Sequence, residues 1–174
     1  MTTLLLCGAL LGCAPPVATP TAPFPSPKPA TSETTSSTAR VGDQVAAHSY
    51  IDAKRGWAVG TNREGGSLVL HTTDAGKHWS VLLRDDNGFP LVGVSFTDAL
   101  HGWAVSSSGT LVGNIIATSD GGRTWVEQYG AGPLLSVDFT DALHGTVEGW
   151  DGDSPQHPIT LTTIDGGQHW QVRR

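Results

Sequence analysis

From about residue 45 onward, short apolar runs alternate with polar, glycine-rich turns. Val45 to Ile51, Leu91 to Phe96 and Leu134 to Phe139 each open a unit as an apolar strand. An acidic turn follows, nearly identical in Thr97-Asp98-Ala99-Leu100-His101-Gly102 and Thr140-Asp141-Ala142-Leu143-His144-Gly145, and looser in Asp52-Ala53-Lys54-Arg55-Gly56. A second strand comes next at Trp57-Ala58-Val59, Trp103-Ala104-Val105 and, weakest, Thr146-Val147. The third strand is Leu68 to Thr72, Ile115 to Ser119 and Ile159 to Thr163, and a fourth begins at residues such as Trp125-Val126-Glu127-Gln128. Alternating runs of this length, bounded by Gly, Asn and Asp, predict antiparallel meanders. No segment carries a helical period.

Between the third and fourth strands lies a tight acidic turn closed by tryptophan. Its aspartates, Asp74, Asp120 and Asp165, fall 46 and 45 residues apart, and the tryptophans Trp79, Trp125 and Trp170 keep the same spacings. That period suits one four-stranded propeller blade. The expected fold is all-β: a propeller-type array of three four-stranded antiparallel blades at about 45–84, 91–129 and 134–174. In each turn the Asp can accept backbone N–H groups one to three residues on. Gly76, Gly122 and Gly167 supply a positive φ, and the Trp covers the hairpin while its N–H finds a carbonyl. The turns are therefore expected to be scaffold.

The pattern Ser/Thr-x-Asp-x-Gly-x-x-Trp resembles the Asp-box, or BNR-type, repeat. Together with the preceding Asp-x-x-x-Gly-Trp-Ala-Val strand pair, residues 45–174 most resemble the propellers related to the photosystem II stability and assembly factor. That resemblance implies help in assembling or stabilising membrane complexes. Three blades do not close a ring, because propellers have roughly four to eight. A truncated product, a second copy completing a six-bladed ring and an open arc are the three readings.

Composition changes the picture mainly in front of residue 41. Leu4 to Leu11 is an apolar run too short to span a bilayer, and Leu10-Leu11-Gly12-Cys13 resembles the bacterial lipobox. Residues 1–13 are thus expected to be a signal peptide ending in lipidated Cys13, with an ordinary cleaved signal peptide as the alternative. Residues 14–40, dense in Pro, Thr and Ser, predict a disordered tether. The expected product is an exported lipoprotein, membrane-anchored on the extracytoplasmic side of a bacterial envelope, which meets the membrane only through its lipid. Both cysteines, Cys7 and Cys13, lie in the leader, so 41–174 carries no disulfide and no thiol chemistry. From Val41 onward there are 8 Lys/Arg against 15 Asp/Glu, a net of −7 that argues against nucleic acid as a partner.

Strand alternation sorts the loops onto two faces, with the acidic turns together on one. The residues that depart from the repeat concentrate on the other: Arg63, Asp85, Asp86, Phe89, Tyr129 and, in a polar loop from Gly149 to His157, Trp150, Asp151 and His157. Trp150 alone among the six tryptophans lacks a counterpart in the repeat, which marks it as a candidate protein-binding anchor. Asp151-Gly152-Asp153 and Asp85-Asp86-Asn87 carry oxygen ligands without the spacing of an EF-hand, so no metal or cofactor is assigned. The alternative to a protein-binding module is a sialidase-like or other glycoside hydrolase, or a glycan-binding fragment. Asp85 and Asp151 would be its carboxylates. Against it, the globular part has six arginines, two of them terminal, and no sialidase-type arginine motif. No catalytic residue is assigned.

Overall fold

A computed structural model describes residues 42–109, 112–151 and 154–174. The leader, the tether and Cys13 lie outside the described residues, as do Gly152 and Asp153. Twelve strands form three four-stranded antiparallel sheets in consecutive order. Blade one is β1 (Gln44–Tyr50), β2 (Gly56–Thr61), β3 (Ser67–Thr72) and β4 (Ser80–Asp85). Blade two is β5 (Leu91–Phe96), β6 (Gly102–Ser106), β7 (Gly113–Thr118) and β8 (Val126–Ala131). Blade three is β9 (Leu134–Phe139), β10 (Gly145–Asp151), β11 (Ser154–Thr163) and β12 (Gln171–Arg173). The all-β array of three blades expected from the repeat is what the chain forms.

Two expectations about position change. Trp150, Asp151 and His157 do not lie in a loop: β10 continues to Asp151 and β11 begins at Ser154, because Trp150 stays paired opposite Pro158. Tyr129 does not lie in a blade connection. It sits in β8 opposite Ile115 and packs, partly buried, on the core between blades two and three. Its polar and glycine neighbours Glu127 and Gly130 hid a strand that runs from Val126 to Ala131.

The core lies between the blades. One cluster joins Trp57, Val59 and Val69 of blade one to Leu91, Val94 and Phe96 of blade two; the next joins Trp103, Val105 and Ile115 to Leu134, Val137 and Phe139. Trp57 stacks on Phe96 with ring centroids 3.9 Å apart, and Trp103 on Phe139 at 3.6 Å. Each phenylalanine lies flat on a glycine of its own blade. A Cβ at Gly102 would stand 2.5 Å from the Phe96 ring, so only glycine admits the stack. Stacked aromatic pairs contribute about 0.5–1.5 kcal/mol beyond the area they bury. Small hydroxyls complete the plan, Ser49 Oγ accepting the Phe96 N–H and Ser95 Oγ the Phe139 N–H, each at 3.0 Å.

Before β1, Asp43 anchors the start of the domain to the last strand of blade one. Its carboxylate takes two bonds from the Arg84 guanidinium, at 2.9 and 2.6 Å, with the side chains 3% and 14% exposed. The arrangement is bidentate and nearly dry, the geometry in which an ion pair holds position rather than merely decorating a surface.

Candidate functional site

The three acidic turns share one geometry. Thr118 Oγ1 donates to Asp120 Oδ1 at 2.9 Å and accepts the Gly122 N–H at 2.9 Å, which ties the end of β7 to the turn. Asp120 Oδ1 then accepts the Arg123 and Thr124 N–H groups, and Oδ2 accepts Thr124 Oγ1 at 2.6 Å. In blades one and three the same carboxylate accepts the N–H four residues on and meets a histidine: His78 Nδ1 stands 2.5 Å from Asp74 and His169 Nδ1 2.6 Å from Asp165. The donors thus lie three and four residues on, one residue further than the expected turn gives. Gly122 and Gly167 have φ of 91° and 89°, and Trp125 Nε1–H donates to the Gly122 carbonyl at 3.0 Å.

The carboxylates respond to these donors. The His78 N–H holds Asp74 down to about 2 from the ordinary 3.8, and the Arg55 N–H does the same for Asp52. At Asp165 burial pulls upward, yet the His169 ring and N–H win and the carboxyl again falls to about 2. At Asp120 burial likewise opposes the lowering, which Thr124 carries. Every turn carboxylate is therefore engaged in its own loop, with none turned toward a common centre. Among the described residues, no group of three or more His, Cys, Asp or Glu is placed to hold a metal ion.

The first turn of each blade abuts its acidic turn. Gly121 N–H donates to the Leu100 carbonyl and Gly166 N–H to the Leu143 carbonyl, both at 2.9 Å. These turns therefore share one face, as strand alternation requires. The sequence missed a further function of the acidic turns. They also receive the neighbouring blade, because Trp57 Nε1–H donates to the Gly121 carbonyl at 2.8 Å and Trp103 Nε1–H to the Gly166 carbonyl at 3.1 Å.

The off-pattern residues do not converge on one spot. Arg63 pairs with Glu64, and its N–H donates to Asp43 at 3.2 Å. Asp86 accepts from Asn62 Nδ2 at 2.8 Å, while Asp85, at the end of β4 rather than in a loop, accepts the Asn87 N–H at 3.0 Å. Trp150 is half-buried near the end of β10, Asp151 pairs with Arg174 at 3.1 Å, and His157 is exposed on β11. Asp85 and Asp151 thus belong to separate neighbourhoods on blades one and three. Phe89 is 44% exposed, and with Asp85 it lines a groove of about 400 Å³ between blades one and two.

No protein-family model matches the chain, and no curated protein matches it. Its fold does match solved propellers. YCF48 bound to D1 peptide is similar at a TM-score of 0.60 and 21% identity, over 78% of this chain and 42% of that one. YCF48 from Cyanidioschyzon merolae is similar at a TM-score of 0.56 and 20% identity, over 78% and 42% respectively. The chain thus spans less than half the length of each.

Proposed function

We propose that this chain is an exported, lipid-anchored and non-catalytic propeller module that binds a protein partner and assists the assembly or stability of a membrane complex. The observation that carries the reading is the likeness of its blades to a propeller bound to a peptide. The engagement of each turn carboxylate within its own loop supports a scaffold role for these Asp-box-like turns. Cys13 is the anchor in this reading, and the face of the blade connections carries the contacts. A second copy joining blade three to blade one would bring Thr146 to the position held by Trp57 and Trp103 at the internal junctions. We therefore place partner binding ahead of ring completion.

Co-purification from membranes of the host tests the reading. The full chain is expected to bring down a membrane protein reproducibly, and Cys13→Ala is expected to release the chain into the soluble fraction. Equal recovery of all membrane proteins with and without the chain would refute it.

A further inference from the structure

The groove between blades one and two has an apolar floor of Leu83, Leu91, Ile116 and Trp125. One wall comes from β4 and the connection that follows it, the other from β7, the second acidic turn and β8. The lining runs from Thr124 at the acidic-turn end to Phe89 at the blade-connection end, so the groove follows the strand direction along the blade. A groove that follows the strand direction fits a chain in extended conformation, which sets alternate side chains into pockets.

Its rim is acidic. Asp85 and Glu127 stand exposed on opposite walls, one on each blade. Arg123 is the one cation among the lining residues, and its guanidinium donates to the Asp120 carbonyl at 2.8 Å, bound into its own turn. The half-buried Trp125 and the exposed Phe89 ring offer aromatic surface of the kind that anchors peptide side chains.

We propose that this groove binds an extended peptide segment in which apolar side chains alternate with basic ones. The inference rests on the protein-binding reading above and names the chemistry of the contact. Apolar side chains enter between Leu83 and Trp125, and lysine or arginine reaches Asp85 and Glu127. An acidic peptide meets two carboxylates and a fold of net charge −7.

The test uses the full chain and two fluorescein-labelled heptapeptides, one alternating lysine with leucine and phenylalanine, the other with glutamate in place of lysine. Anisotropy is expected to show binding of the basic peptide and at least about tenfold weaker binding of the acidic one. Leu83→Tyr fills the floor with the residue that blade two already carries at the equivalent position, Tyr129, so the fold is expected to tolerate it. It is expected to weaken the basic peptide about tenfold while leaving the urea midpoint unchanged. Glu127→Lys, on the exposed rim, should weaken the same peptide without touching the floor. Equal affinity of wild type and Leu83→Tyr, preference for the acidic peptide, or no binding by the wild type would each overturn the groove. Membrane-partner capture by Leu83→Tyr separates the two levels: full capture alongside any of those results leaves the protein-binding reading standing without the groove.

Discussion

At the junction of blades one and two, among the described residues the Gly121 carbonyl receives a single donor, the Trp57 indole at 2.8 Å. At the junction of blades two and three, the Gly166 carbonyl receives two, Trp103 at 3.1 Å and Gln128 Nε2 at 2.9 Å. The stacked aromatic pair is common to both; the fourth strand is where they part. Its pairing with the third strand shifts register between Val69 and Leu70 in blade one and between Ile115 and Ile116 in blade two, and each shift leaves an extra residue. That residue is Leu82 at the first junction and Gln128 at the second. Beside it, Leu83 packs on the first core and lines the groove, and Tyr129 packs on the second core. The second junction also buries Gln128 Oε1 and Trp170 Nε1 without a protein partner, whereas Trp125 donates to Gly122. The aromatic stack thus sets how blades join, and the fourth strand sets what remains open beside the joint.

The strongest way to break the comparison is to remove the shared part. Trp57 is 1% exposed, so Trp57→Ala opens a cavity beneath Phe96 and strips the Gly121 carbonyl of its donor. A loss of about 3–5 kcal/mol is expected, read as a lower urea midpoint. An unchanged midpoint would mean that the two blades do not depend on this joint.

A gentler change separates the junctions. Trp→Phe keeps an aromatic ring on the phenylalanine and deletes only the N–H. At Trp57 this leaves the Gly121 carbonyl without its side-chain donor, at a cost of about 1–3 kcal/mol. At Trp103 the Gln128 amide still donates to Gly166, so Trp103→Phe is expected to cost less than Trp57→Phe. Equal losses in paired urea titrations would show that the Gln128 bond contributes nothing.

Gln128→Leu makes the second junction resemble the first. It removes one buried acceptor that has no partner and leaves Trp103 on Gly166. The expected change is within about 1 kcal/mol of zero, with stabilisation the more informative outcome. A loss as large as that of Trp57→Phe would place Gln128 at the centre of the joint.

Much of this architecture was legible in the residues, because the repeat is local. Thr, Asp, Gly and Trp sit within eight positions, and each turn satisfies its own backbone, so the blades could be counted and the acidic turns assigned to one face. The contact of Trp57 with the Gly121 turn spans 64 residues and was not legible, since no spacing within one blade encodes it. Tyr129 misled for the opposite reason. A Tyr-Gly pair beside Ala-Gly-Pro reads locally as a connection, yet pairing with Ile115 holds it in strand. The groove was invisible because its lining comes from two blades, with Leu83 and Phe89 on one side and Ile116 and Glu127 on the other, and no local motif joins them.

The acidic turns carry the smallest and most evenly spread effect. Asp74 and Asp165 have carboxyls lowered to about 2, the first chiefly by the His78 N–H and the second by His169 against the pull of burial. A carboxyl lower in the folded state binds fewer protons than in the unfolded chain, so its contribution is fully present above the unfolded value near 3.8 and disappears as pH falls through about 2. The contribution of these two carboxylates is therefore expected to hold level above about pH 4 and decline between pH 4 and 2. Asp165→Asn keeps a carbonyl oxygen for the His169 N–H but no longer titrates, so its curve should be lower at neutral pH and flatter in that window. A variant curve parallel to the wild type would show that this carboxylate is not what acid removes. The decline would then have to come from groups outside the blade-three turn, such as Asp74 or Asp141.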